Sequence, residues 1–195
     1  MTISRTDTVI VVGFLILVQG TGALAGFWLP AIAPEVGQSL GLSPSLIAYP
    51  VLILYIFAMI SSLMAGGIVR RFGAWRSSQA ALILIGVSHL MFMNGSLLFL
   101  ALGSIILGGA YGLLTPPASH LLSKIVTPKN RNLIFSIRFT GVPLGGILAG
   151  LLAPPVALEY GWRESMIVTI VISCLLYTSD AADDTPCVDL GGRRI

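Results

Sequence analysis

Apolar runs of about 20 residues recur along this chain, the length an α-helix needs to cross roughly 30 Å of hydrocarbon. That recurrence limits the possible folds more than any short motif does. Composition agrees with it: the 195 residues are 55% hydrophobic and only 10% charged, and the mean hydropathy is +0.94. A soluble domain is about 45–50% apolar and about 25% charged. The sequence therefore predicts an all-α, polytopic transmembrane helix bundle.

Six spans are read from the pattern. The first covers about 8–29. A competing reading is a signal peptide, with Arg5 as the basic residue, 9–18 as the apolar core and Ala23-Leu24-Ala25 as a cleavage site. Asp7 offsets Arg5, and the apolar pattern continues past the supposed cut, so a spanning helix is favoured. The second span is 46–69 and the third 77–92, closed by the turn dipeptide Asn94-Gly95. The fourth, 97–125, is read as interrupted at Thr115-Pro116-Pro117, and the fifth covers 133–156. The sixth starts near Met166, and only the ten residues 167–176 are apolar enough to belong to it, too few to cross unaided.

Residues 1–174 thus read as one unit of six spans, the last incomplete. From about Leu175 the sequence resembles translated adapter read-through, so 175–195 is set apart as a non-native tail; a genuine acidic tail is the alternative. Charge sets the orientation. With a cytoplasmic N-terminus, the inner segments carry Arg5, Arg70, Arg71, Arg76, Lys124, Lys129 and Arg131, and the outer loops carry only Arg163. The positive-inside rule places this chain in the cell membrane with its N-terminus inside. The net charge of +3 sits in short loops beside apolar spans, so it is a matter of topology and not of nucleic-acid binding. Cys174 and Cys187 make neither a disulfide framework nor a metal spacing, and no cofactor motif is present.

An internal repeat accompanies the spans. Gly22, Gly26 and Pro30 in the first, and Gly108, Gly112 and Pro116 in the fourth, both read G-x-x-x-G-x-x-x-P. The two spans run in opposite directions, as in the inverted three-helix repeats of secondary transporters.

Between the second and third spans lies 66–76, with Gly66, Gly67 and Gly73 beside Arg70, Arg71 and Arg76. This segment, read as a tight basic loop, resembles the gate motif of the major facilitator superfamily, Gly-x-Leu-Ala-Asp-Arg-x-Gly-Arg. Gly66, Ile68, Val69, Arg71, Phe72 and Gly73 fit it. The resemblance implies the N-terminal six-helix half of a transporter, built from two inverted three-helix repeats and truncated before its second half. Arg70 departs from the pattern where the family has an acid. Either the gate has another partner, since a buried partner cannot be exchanged for the opposite sign, or Arg70 faces lipid headgroups. In the fifth span Gly141, Pro143, Gly145 and Gly146 are similar to the Gly-Pro-x-x-Gly-Gly signature of antiporter branches, though spaced differently. Gly141, Gly145 and Ala149 fall on one face, where another helix can approach closely, and Pro143 favours a kink. Ser104 stands where the family often has an arginine, which weakens the case for proton antiport of the usual kind.

Ionisable groups inside spans are the default site candidates. Arg138, about two turns into the fifth span, either holds an anionic substrate in a central cavity or snorkels to the interface. Gln19 and Thr21 of the first span and Tyr111 of the fourth are candidate pathway contacts, because the resemblance places those helices along the pathway. Trp28 reads as an interfacial anchor, and His89 and His120 as packing residues. Glu35, Glu159 and Glu164 belong to outer loops, so no carboxylate relay is visible. These features predict a secondary active or facilitative transporter moving a small solute by alternating access with a second half, and Arg138 alone leans the solute toward an organic anion. The alternatives are a half-size transporter working as a dimer and a non-transporting scaffold or sensor subunit. An intramembrane enzyme would need a nucleophile with its base, or a metal set such as H-E-x-x-H, and neither is present.

Overall fold

The computed structural model describes residues 5–182, and every element in that stretch is helical. Cys187 and most of the tail set apart above lie outside the described residues, as do the side chains of Arg5 and Lys124. Eight α-helices follow one another: α1 (Arg5–Ala31), α2 (Ala33–Leu40), α3 (Ala48–Phe72), α4 (Ala74–Met93), α5 (Leu97–Ile125), α6 (Arg131–Phe139), α7 (Gly141–Tyr160) and α8 (Trp162–Ala182). A 3₁₀ turn, Pro44–Ile47, leads into α3. Four segments are long and apolar enough to cross a membrane: Thr8–Ala31, Ser45–Phe72, Leu97–Ser123 and Arg131–Tyr160. The expected third span lies within α4, of 20 residues, and the sixth, expected to be cut short at 166–176, lies within a longer helix, α8, of 21 residues. At 1.5 Å per residue such helices reach about 30 Å.

Three local expectations change. The Gly66–Arg76 segment is almost entirely helical: α3 continues through Phe72, α4 begins at Ala74, and Gly73 alone joins them. Gly73 has φ +85°, a conformation that a β-carbon disfavours by about 1–2 kcal/mol. Its amide donates to the Val69 carbonyl at 2.9 Å, and its carbonyl accepts from Ser77 Oγ at 2.7 Å. The fourth span is not broken at Pro116-Pro117, because α5 runs on through both prolines. A proline removes one backbone donor and neighbouring helices can absorb the loss within a membrane. The fifth span, conversely, is divided at Thr140 into α6 and α7. Pro143 withholds the N–H that would have bonded the Phe139 carbonyl, and Thr140 Oγ1 donates back to Ile137 at 2.6 Å.

The helices pair in a pattern with internal symmetry. α1 lies along α7, α5 lies along α3, and α4 packs against α8, while α1 and α5 cross at the centre. Exchanging the first three spans for the last three reproduces these pairings, as two inverted three-helix repeats would, although the close packing of α4 on α5 has only a weak counterpart between α1 and α8. The glycines chosen from sequence do not, however, play matching parts. A β-carbon on Gly108 or Gly112 would strike the α3 backbone at Leu54 and Ala58. Gly22 and Gly26 instead lie under Tyr111 and Leu114 of α5. The close seam of α1 is made by Gly141 and Gly145 of α7, where a β-carbon on Gly141 would sit 2.6 Å from the Ile16 carbonyl.

The main core collects Trp28, Ile32, Leu82, Ile85, Phe92, Leu107 and Met166 from α1, α4, α5 and α8. Trp28, the expected interfacial anchor, is fully buried, and its indole N–H donates to Ser165 Oγ of α8 at 3.2 Å. Ser165 is a small residue that offers an acceptor where a larger side chain would displace the ring. His89 is a buried packing residue whose Nδ1 sits 3.0 Å from the Ile85 carbonyl.

Candidate functional site

Arg138 occupies the last turn of α6, two residues before Thr140, where the fifth span is divided. Its side chain does not snorkel. It is fully buried and extends inward, where Nη2 donates to Gln19 Oε1 of α1 at 2.7 Å and to the Leu114 carbonyl of α5 at 3.4 Å. The Phe139 ring lies 5.0 Å from the guanidinium carbon. Nε and Nη1 have no hydrogen-bond partner among the described residues, which leaves three of the five guanidinium N–H groups unmatched. A buried cation without an anion costs several kcal/mol. This is therefore the most strongly unbalanced polar group in the described part of the chain.

The helices hold the arginine in place for local reasons. Gly141 presses on α1 beside Gln19 and Gly20, which brings the end of α6 against the helix that carries the Gln19 amide. Below them, Leu15, Ala118 and Leu122 form a small second core, with Val12, Ile134 and Phe135 packed on it. That apolar floor separates Arg138 from the α5–α6 connection.

The predicted pathway residues fall into two groups. Gln19, Arg138 and Thr21 are buried, and the first two are joined by the hydrogen bond above. Tyr111 is half-buried and meets Tyr55 of α3 edge-on, with ring centroids 6.3 Å apart and planes at 80°. Sequence reasoning passed over Tyr55 and Phe139; their only signal was an aromatic residue on a helix adjoining a candidate, which is too common to single out. Of the predicted packing motif, Gly141 and Gly145 form the α1 seam. Gly146 lines an open groove of about 380 Å³ with Phe27, Pro30, Ala31 and Gly150, and Pro143 is exposed.

The gate-motif residues gather at the α3–α4 turn but make few contacts. Gly66 and Gly67 face open space. Arg70, Arg71 and Arg76 are exposed, and Arg71 lies over the neighbouring Phe72 ring at 5.3 Å. Beside them Trp75 stacks on Phe14 of α1 at 5.7 Å. Ser104, in the position where an arginine was considered, bonds back to the Leu100 carbonyl at 2.8 Å. No group of three or more metal-binding side chains occurs among the described residues.

Comparison with known proteins matches residues 12–179 to the family model described as Major Facilitator Superfamily. A gallate transporter of Pseudomonas putida is 29% identical over an alignment covering 74% of this chain and 32% of the relative. The chain thus spans about a third of that protein's length. Among solved structures, a peptide transporter, POT, in complex with sulfate has a TM-score of 0.77 at 21% identity, covering 94% of this chain and 39% of its own. Another structure of that transporter reaches a TM-score of 0.80 at 22% identity, covering 94% and 40%. At these identities the structural likeness speaks to the fold.

Proposed function

Since this chain belongs to the major facilitator superfamily, and is a multi-pass membrane protein, we propose that it is the N-terminal wall of a transporter that moves a small organic anion by alternating access. A second six-helix half forms the opposite wall. The arginines at the α3–α4 turn lie on the cytoplasmic side in this reading, with the N-terminus inside the cell membrane.

One observation carries the choice of an anion. Arg138 is fully buried, donates only to Gln19 and to the Leu114 carbonyl, and keeps Nε and Nη1 unmatched. No Asp or Glu lies within α1, α5, α6 or the first turns of α7 after Asp7, so this half offers no counter-ion of its own at that depth. An entering carboxylate supplies the missing charge and accepts from the free N–H groups. A cation held between two neutral carbonyl oxygens is a site that gains most from an anion. The gallate transporter among the relatives carries such a solute by name.

In the whole transporter, Arg138→Gln keeps a polar, hydrogen-bonding side chain at this position and removes the charge. Removing one member of a buried charged contact costs about 2–5 kcal/mol, so anion uptake into proteoliposomes should fall by tenfold or more. Unchanged apparent affinity for every anion transported would rule the assignment out.

A further inference from the structure

We propose that Tyr55 and Tyr111 form an aromatic subsite next to Arg138, so that the solute is an aromatic carboxylate. This rests on the anion reading above and narrows it. The two rings meet edge-on at 6.3 Å and 80°. Tyr111 lies flat along α1: β-carbons on Gly22 and Gly26 would stand 3.8 and 3.7 Å from its ring. Those are ordinary contact distances, so the ring packs against α1, whereas the β-carbon of a larger residue at Gly22 would strike the Leu114 side chain. The other side of the pair is open, since Tyr55 is 47% exposed and Tyr111 is half-buried.

The cation reaches the same stretch of α5. Arg138 donates to the carbonyl of Leu114, three residues along α5 from Tyr111, a rise of about 4.5 Å. Leu114 and Tyr111 both lie against Gly22 of α1, so the cation and the ring pair border the same seam between α1 and α5. The Phe139 ring over the guanidinium, at 5.0 Å, closes the charged end with a third aromatic group. Edge-to-face and offset ring contacts favour an aryl group over an alkyl chain of equal charge, because the ring edge is positive and its face negative. Buried polar donors with aromatic walls are also the usual make-up of a small-molecule pocket.

The test compares two acids in the whole transporter reconstituted in proteoliposomes, benzoate and butyrate, with Tyr55→Leu, Tyr111→Leu, Tyr55→Phe and Arg138→Gln. The leucine variants should raise the apparent KM for benzoate about two- to tenfold and leave butyrate unchanged, and Tyr55→Phe should resemble the parent. Tyr55 is half-exposed, so its leucine variant decides the matter if Tyr111→Leu fails to fold. Equal effects on both acids, or no effect on benzoate, overturn the aromatic subsite. So does a transporter that carries other anions and never benzoate. Arg138→Gln should weaken both acids; if it weakens neither while the tyrosine variants remain selective for benzoate, the anion reading fails and the aromatic subsite stands.

Discussion

Two regions of this chain combine glycine with arginine, and they use both residues in opposite ways. At the α3–α4 turn, Gly66 and Gly67 face open space and Arg70, Arg71 and Arg76 are exposed. At the junction of α1, α5, α6 and α7, Gly141 and Gly145 touch the α1 backbone and Arg138 is fully buried. The first region carries the recognisable family motif and contributes little to holding this chain together. The second has no strong motif, yet it joins four helices around one cation. A charge in water is screened and inexpensive, whereas a charge among packed helices must find acceptors. Burial therefore separates the two regions more sharply than their sequences do.

Substitutions can break or sharpen that contrast. The largest effect is expected at Arg138. Arg138→Met removes the buried cation and fills its volume, so anion uptake should fall by about 30-fold or more while the melting temperature holds or rises, because apolar replacement of a buried charge is often neutral or stabilising. A lowered melting temperature would show the arginine to be structural instead. Next comes Gly145→Val: a β-carbon there lies 2.8 Å from the Ala23 β-carbon, and overpacking of this kind costs about 1–3 kcal/mol, readable as a lower melting temperature in detergent. Gly73→Ala should cost about 1–2 kcal/mol, because φ is +85° at that turn.

At the exposed end the sign reverses. Gly67→Ala, in the interior of α3 with nothing nearby, should stabilise by up to about 1 kcal/mol through helix propensity. A marked loss of stability there would mean that Gly67 is covered in the whole transporter. Smallest of all, Arg70→Gln should shift stability by no more than about 0.5 kcal/mol. If Arg70 instead pairs with an acid of the second half, that variant will change uptake kinetics while leaving the melting temperature alone.

Much of the architecture was legible before any coordinates. The limits of α5 coincide with the predicted 97–125, and the bundle follows from apolar runs that can satisfy their backbone only as helices. The family was legible because the Gly and Arg pattern at 66–73 resembles one that the family carries between two spans. The prolines were harder to read. Pro116-Pro117 looked like a break and sits within a continuous helix, while Pro143 looked like a kink and marks a real division. A missing N–H is visible in sequence, but whether the helix opens depends on what the neighbouring helices offer.

The same limit applies to the repeat. Gly22 and Gly26 match Gly108 and Gly112 in spacing, yet one pair lies under an aromatic ring and the other against a backbone. Spacing sets which residues share a face of a helix, and it does not say which neighbour that face meets. By itself, then, the sequence determined the helical class, the family and the distribution of charge along the chain, because each depends on local chemistry and on the cost of desolvation. Only the tertiary structure decided that Trp28 is internal, that Arg138 turns toward Gln19, and that Tyr55 joins Tyr111. Those outcomes depend on helix rotation and crossing, which come from close packing between segments many residues apart.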